Sequence, residues 1–332
     1  MDKRIPAGFF AAAVLVLASG GVAAQSIITV DTTSTAGTIN GNCELPEAIQ
    51  AAETNLAVDG CAAGSASGPD KIVFAKALAG QTISYSSAPT FNSGQVIVDA
   101  QKRPIILQAT GTADALDVFG ATVTLRGLDL RASTTGNGVT LVSGNLTVNN
   151  SSVQGRLGMN VFGTGSTVTV NNSTVASTET NPSSDIAIRT GSSTNLVINN
   201  STIVASVGKG LDVSSSTGTA TVYSSIVVGA TPVNGVTANS GGTLLATSTA
   251  NAGLAATLTN NGGTTRTFAL VSGVAIDGGS CAAAPIDRWD QRYYMNYATN
   301  FRAAGSACDA GAYETGTQDL LVELVFADNF EL

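Results

Sequence analysis

Histidine is absent from this chain of 332 residues, and charged residues make up only 11% of it. Without histidine the chain lacks the commonest general base and the usual serine or cysteine catalytic triads. The four cysteines include no C-x-x-C pair, so the sequence predicts no metal site. A net charge of −8 with few lysines argues against nucleic acid as a partner.

Long apolar runs are also scarce, and the one of note lies near the amino terminus. Residues 9–18 are apolar, follow Lys3 and Arg4, and precede Val22-Ala23-Ala24. This pattern is typical of a secretory signal peptide, and the run is shorter than the roughly 20 residues that span a bilayer. We expect residues 1–24 to be removed, no transmembrane segment in the rest, and a protein secreted or held at the outer surface of a Gram-negative bacterium.

The cysteines fall into two local pairs, Cys43 with Cys61 and Cys281 with Cys308. In an exported chain, cysteines in such a pattern are normally disulfide-bonded. We therefore expect one disulfide near each end of the mature protein.

Glycine, serine, threonine, asparagine, alanine and valine dominate the chain and form a repeat. Short segments that alternate apolar and polar residues recur every 20 to 28 residues in two rows. Alternation is the signature of a strand buried on one face, and strands at this period form the coils of a β-solenoid. The first row has the inward residues Leu125, Val148, Val170, Ile198 and Val222. The second row has the outward residues Asp117, Thr140, Asn160, Ala187 and Asp212.

Asparagine recurs just after the first row. Asn150, Asn172 and Asn200 continue the inward alternation beyond the strand. Asparagine amides both donate and accept hydrogen bonds, so asparagines stacked at a bend can bond to one another. We interpret these three as a structural ladder rather than as ligands.

A helical pattern precedes the repeats. Leu45, Ala48, Ile49 and Ala52 share one face of a helix over residues 44–54. An open solenoid end exposes strand edges and core, so we expect this helix to cap the first coil.

Segments at both ends resemble bacterial surface proteins. Residues 43–49 (CELPEAI), 70–74 (DKIVF) and 80–83 (GQTI) resemble the CSLREA motif region of bacterial surface β-helix proteins, with Glu44 and Pro46 replacing the serine and arginine of the motif. Four later segments are similar in order and spacing to the choice-of-anchor Q domain: 258–267 (LTNNGGTTRT), 275–279 (AIDGG), 290–292 (DQR) and 307–314 (ACDAGAYE). The resemblance implies a pectate-lyase-like β-helix and brings no activity with it.

We therefore predict an all-β protein formed by a single right-handed parallel β-helix, with a short N-terminal capping helix and a disulfide-tied C-terminal cap. The expected divisions are 25–115 for the N-terminal cap and first coils, 116–230 for the central coils, and 231–332 for the last coils, C-terminal cap and tail.

The outward row has only two carboxylates, and they are far apart. Adjacent coils lie about 4.8 Å apart, so Asp117 and Asp212 are separated by four coils, roughly 19 Å. Calcium-dependent lyases need clustered carboxylates, and glycoside hydrolases need two carboxylates about 5–10 Å apart. We expect no cofactor, with Ca²⁺ required only if the protein is a lyase.

Two sets of side chains are candidate binding sites. The candidate ligand patch for sugars comprises Arg126, Asp129, Arg131, Arg156, Trp289, Tyr293 and Tyr294. A second interpretation of the same residues is structural. In it the charged members form a solvated edge of the solenoid, and the aromatic members cap its C-terminal end. A candidate threonine array comprises Thr122, Thr124, Thr147, Thr167, Thr169, Thr219 and Thr221, interrupted by Asn145, Asn195 and Val197.

The sequence favours a non-catalytic secreted or cell-surface β-helix that acts in adhesion or in contact with extracellular polysaccharide or cell-surface glycan. The alternative is a polysaccharide lyase or glycoside hydrolase, and a minor alternative is ice binding through the threonine array. Acids converging on one groove favour the enzyme, whereas a shaft covered with threonine and asparagine favours adhesion.

Overall fold

The chain folds into a parallel β-solenoid of about seven turns. The computed structural model describes residues 25–280, 290–292 and 307–315. Strands pair in parallel with the equivalent strands of the preceding and following coils, which confirms the predicted parallel β-helix. The predicted signal peptide, residues 1–24, lies outside the described residues.

Each coil has three faces, here called face 1, face 2 and face 3 in the order in which the chain visits them. Two long strands, Asp117–Arg126 and Val139–Asn149, turn the corner from face 1 to face 2. Face 1 also contains Thr90–Phe91, Leu157–Val161, Ile186–Ser192, Lys209–Ser216 and Thr231–Asn234. Face 2 contains Ile27–Val30, Asp70–Phe74, Gln95–Asp99, Thr167–Asn171, Asn195–Asn199, Ala220–Tyr223 and Ala238–Ser240. Face 3 contains Thr82–Tyr85, Ile105–Ala109, Leu128–Arg131, Ser152–Gly155, Thr174–Ser177, Thr202–Val204, Ile226–Val228 and Leu244–Ala246.

The strand register confirms the first predicted row and corrects the second. The inward residues of the first row pair in succession and are buried: Leu125, Val148, Val170, Ile198 and Val222. In the second row Asn160 pairs with Arg189, and Arg189 pairs with Asp212, so the placement of Ala187 in this row was wrong. A slip of two residues leaves the inward and outward alternation unchanged, and the pattern therefore fits either register.

In five successive coils the bend from face 2 to face 3 is built from one left-handed residue. These residues have φ between +45° and +67°: Gly127, Asn150, Asn172, Asn200 and Ser224. Serine hydroxyls form a ladder just beyond them, because Ser151 N–H donates to Ser173 Oγ (3.1 Å) and Ser173 N–H donates to Ser201 Oγ (3.2 Å). The hydroxyls thus satisfy backbone groups that the bend takes out of the strand ladder.

The amide ladder lies one residue earlier than predicted. Asn171 Nδ2 donates to Asn149 Oδ1, and Asn199 Nδ2 donates to Asn171 Oδ1, both over 2.9 Å. Asn150, which we predicted to point inward, instead donates from Nδ2 to the carbonyl oxygen of Asp290 (3.4 Å). Three successive coils have two consecutive asparagines here. The first remains in the strand and stacks, whereas the second takes the left-handed bend that asparagine tolerates.

The first coil is covered as predicted. A helix over Leu45–Thr54 packs against the first strand, Ile27–Val30, and buries Leu45, Ala48, Ile49 and Ala52. Glu44 N–H donates to the carboxylate of Glu47 (3.0 Å) at the start of the helix. The disulfide Cys43–Cys61 ties the helix to the turn that follows it. A short 3₁₀ helix, Lys76–Leu78, comes after the second strand.

The chain after the last coil turns back along face 3. Residues 254–270, 290–292 and 307–315, here called the C-terminal strap, lie along the side of the solenoid. Leu254, Phe268 and Leu270 of the strap belong to one buried cluster with an outward apolar column of face 3. An outward apolar column needs such a cover. This column comprises Ala176, Val204, Val228 and Ala246.

Candidate functional site

The described part of the strap is anchored on face 3. Gln291 Oε1 accepts the hydroxyl hydrogen of Thr174 (2.6 Å), and the N–H of Ala312 donates to Thr202 Oγ1 (2.9 Å). Arg266 binds the carboxylate of Asp129 on the same face. Faces 1 and 2 are therefore the surfaces to consider for a ligand.

Face 2 presents the predicted threonine array in register. Asn145 Oδ1 accepts the N–H of Thr167 and Asn195 Oδ1 accepts the N–H of Thr219, both over 3.1 Å, so the asparagines that interrupt the array tie its coils together. Both columns are uncharged. One column runs Thr122, Asn145, Thr167, Asn195 and Thr219, and the other runs Thr124, Thr147, Thr169, Val197 and Thr221.

Face 1 carries the second row, whose far end is an ion pair. Lys209 Nζ (2.8 Å) and Asn234 Nδ2 (2.9 Å) both donate to the carboxylate of Asp212. Burial raises the pKa of Asp212, but these bonds, the bond from Ser214 and the charge of Lys209 outweigh it and lower the pKa below its usual value. Asp212 is thus an ionised carboxylate that is already paired within the fold.

Face 1 also brings together two acids that we did not predict as a pair. Burial and the neighbouring carboxyl of Asp114 raise the pKa of Asp117 to about 7. Asp114 accepts the N–H of Asn137 (2.7 Å) and the hydroxyl hydrogen of Thr140. Two acids in contact share a proton, because both cannot ionise cheaply. In the sequence this pair is indicated only by the spacing of three residues between Asp114 and Asp117, across the turn that precedes the strand Asp117–Arg126.

The geometry of the acid pair differs from that of a glycoside hydrolase. Asp114 and Asp117 are in hydrogen-bond contact, whereas those enzymes separate their carboxylates by about 5–10 Å to admit a sugar or a water. In the part of the chain that the structure describes, no group of three or more acidic or cysteine side chains is placed to hold a metal ion. A calcium site of the lyase type thus has no ligand set among these residues.

The raised pKa of Asp117 predicts a pH dependence of stability. A carboxyl with a pKa of about 7 in the folded chain and about 4 in the unfolded chain binds more protons when folded. Its stabilising contribution is therefore full below about pH 4 and is lost as the pH rises to about 7. We expect the Tm of Asp117→Asn to rise relative to that of the native protein over this range. Parallel Tm profiles for the two proteins would rule out the shared proton.

Of the four charged members of the predicted ligand patch, Asp129 and Arg131 come together as an ion pair, whereas Arg126 and Arg156 lie elsewhere. Asp129 is buried on face 3, where Arg131 (2.5 Å) and Arg266 (3.0 Å) bind it. Arg126 lies on face 2, and Arg156 donates from Nε to the carbonyl oxygen of Thr135 (3.2 Å) near the turn back to face 1. The patch is divided among separate faces because the chain bends between these residues.

The aromatic members of the patch, Trp289, Tyr293 and Tyr294, lie outside the described residues, as does Cys281. Cys308 is buried and disulfide-bonded. No helix in the described ranges is long and apolar enough to cross a membrane. Comparisons of the chain with protein-family models, with curated proteins and with solved structures find no match.

Proposed function

We propose that the protein is a secreted or cell-surface β-helix that adheres to extracellular polysaccharide or cell-surface glycan without cleaving it. The observation that carries this proposal is the repeat of hydroxyl and amide groups along face 2, beside which face 1 adds Thr140 and Asn160. Coils about 4.8 Å apart present these groups at a fixed interval. A polysaccharide also presents its hydroxyl groups at a fixed interval, so the two can bond at many positions at once.

Export to an oxidising compartment is supported by the disulfide Cys43–Cys61, because such bonds are rare in the cytosol. The signal peptide and the location at the outer surface of a Gram-negative bacterium remain predictions from the sequence. The resemblance to CSLREA and choice-of-anchor Q proteins is likewise a prediction from the sequence, and it agrees with a role at a cell surface.

A polysaccharide hydrolase or lyase is the second candidate, and the acid pair favours it. A carboxyl that keeps its proton near neutral pH is the usual general acid of a glycosidase, and Asp117 has this property. Asp114 is too close to act as the second carboxylate. The enzyme therefore requires a second acid from elsewhere, and a lyase requires Ca²⁺ as well.

Ice binding is a third candidate, favoured by the register of the threonine columns on face 2. A measurement of thermal hysteresis with the mature protein tests it directly. We expect no hysteresis, because Asn145, Asn195 and Val197 interrupt both columns.

One experiment separates adhesion from catalysis. Residues 25–332 are incubated with Ca²⁺ and a panel of neutral and acidic polysaccharides, and both the protein retained on the polymer and the products released are measured. We expect retention without product. Absorbance of unsaturated uronate that disappears with a chelator would establish a lyase, and reducing ends that disappear in Asp117→Asn would establish a hydrolase.

A further inference from the structure

Two aromatic side chains stand exposed at the corner between face 1 and face 2. Phe119 is 45% exposed and Phe162 is 51% exposed, although the inward apolar side chains of these coils are buried. Phe119 lies within the strand Asp117–Arg126, and Phe162 directly follows the strand Leu157–Val161. Each precedes a glycine, Gly120 or Gly163, which adds no side chain beside the ring. The corner therefore offers two aromatic rings to solvent.

The two rings lie on the same side of the solenoid with one coil between them. Phe119 pairs with Ser143 of the intervening coil, and Phe162 N–H donates to the carbonyl oxygen of Leu141 in that coil. The rings are thus two coils apart, or about 10 Å along the solenoid axis. Val142, which is half-buried, lies between them.

This separation matches the repeat of an extended β-linked glycan. In cellulose and chitin each sugar is turned over relative to the last, so every second ring presents the same face. The C–H groups on that face pack against aromatic rings. A chain laid along the corner therefore places one sugar on Phe119 and the next but one on Phe162.

The polar row of face 1 runs beside the rings. Asp117 and Asn160 each lie two residues before a phenylalanine, on the outward side of the same strand. Asn160 is only 5% exposed, and its Oδ1 accepts no hydrogen bond within the described chain. A buried acceptor without a donor is uncommon and requires an explanation. The oxygen has less than 1 Å² of accessible surface, so a sugar hydroxyl reaches it only when the Asn160 side chain turns outward on binding.

The charge beside the rings decides between neutral and acidic glycans. The carboxyls of Asp114 and Asp117 lie next to the Phe119 end, and a uronate there would meet like charge. Arg189, the cation of this row, lies one coil beyond Asn160, past the Phe162 end. Sugar hydroxyls, by contrast, donate readily to carboxylate oxygens.

We infer that this corner, with Phe119 and Phe162 as its two stacking rings, binds a neutral, extended β-linked glycan such as cellulose or chitin. The inference rests on the proposed adhesion function and names its site and ligand class. Residues on face 1 supply hydrogen bonds to the sugar edge, and the rings supply the stacking surface.

Binding of cellohexaose and chitohexaose to residues 25–332, measured by titration calorimetry, tests this site. We expect Phe119→Ala and Phe162→Ala each to weaken binding of the preferred hexamer about tenfold, as for loss of one aromatic stacking contact. The tyrosine variants at both positions keep the ring and should keep the affinity. Leu245→Ala is the matched control, because Leu245 is an exposed apolar side chain at 42% and lies on face 3.

Oligomer length tests the spacing of the rings. A disaccharide reaches only one ring, whereas a tetrasaccharide spans both, so we expect a steep rise in affinity between the two. In Phe119→Ala this rise should disappear, because only one ring remains.

The outcomes distinguish the site from the function. Native affinity in the double alanine variant, with its circular dichroism unchanged, would overturn the assignment of the corner and leave adhesion standing. Preference for pectate or alginate oligomers would overturn the neutral class. Failure of the native protein to bind any polysaccharide would overturn the proposed function itself.

Discussion

Arg292→Met is expected to release the C-terminal strap from the solenoid. Arg292 is 1% exposed, and its guanidinium binds the carboxylate of Asp290 (2.8 Å), donates to the carbonyl oxygen of Glu314 (2.6 Å) and lies 3.8 Å from the ring centre of Tyr313. Asp290 is fully buried. Removing one partner of a buried ion pair leaves an uncompensated charge, which costs about 3–5 kcal/mol.

The loss in Arg292→Met is measured by urea unfolding together with limited proteolysis of residues 254–270. Arg131→Met is the control, because Asp129 keeps Arg266 as a partner after Arg131 is lost. We expect the control to lose less than about 1 kcal/mol, as for a partly exposed ion pair. Equal losses in the two variants would show that the buried ion pair of Arg292 and Asp290 does not hold the strap.

Gly155→Ala is expected to disrupt the turn from face 3 to face 1. A Cβ at Gly155 would overlap the backbone nitrogen of Gly138 in the preceding coil and lie 2.9 Å from its Cα. Backbone atoms cannot swing aside as a side chain can, so adjacent coils must separate. Overpacking of this kind costs about 3 kcal/mol.

Gly165→Ala is the comparison variant, because it changes the backbone preference of a glycine without bringing a methyl group against another coil. Gly165 has a φ of +76°, and a methyl group there would have no neighbouring heavy atom within 4 Å. Alanine at this position therefore lowers the free energy of unfolding only by the cost of a left-handed backbone, about 1–2 kcal/mol. Thermal unfolding of both variants should show the larger decrease in Tm for Gly155→Ala. A larger decrease in Tm for Gly165→Ala would contradict the close approach of the two coils at Gly155.

The rows of the solenoid were predictable because burial alternates with a period of two in a strand. The inward row ending at Val222 is correct throughout. The outward row fails at Arg189, since a shift of two residues preserves the alternation that identified it. The asparagine ladder fails by one residue for a related reason. Two consecutive asparagines in each of three coils leave the sequence without a marker for which of them bends.

Contacts between distant segments were beyond the sequence. The C-terminal motifs have the correct order for a terminal cap, but nothing in their spacing shows that Arg266 reaches back to Asp129. The acid pair of Asp114 and Asp117 depends on the shape of one turn rather than on a repeat. Exposure of Phe119 and Phe162 likewise follows from the position of the corner, which alternation alone does not define.

Hydroxyl-radical footprinting of residues 25–332, with and without saturating cellohexaose or chitohexaose, tests most directly whether a glycan lies along faces 1 and 2. Oxidation of Phe119 and Phe162 should fall when the glycan is bound. Oxidation of Leu245, an exposed side chain at 42% on face 3, should stay constant. Protection of Leu245 and the strap with no change at the two phenylalanines would place the ligand on face 3 and contradict the account.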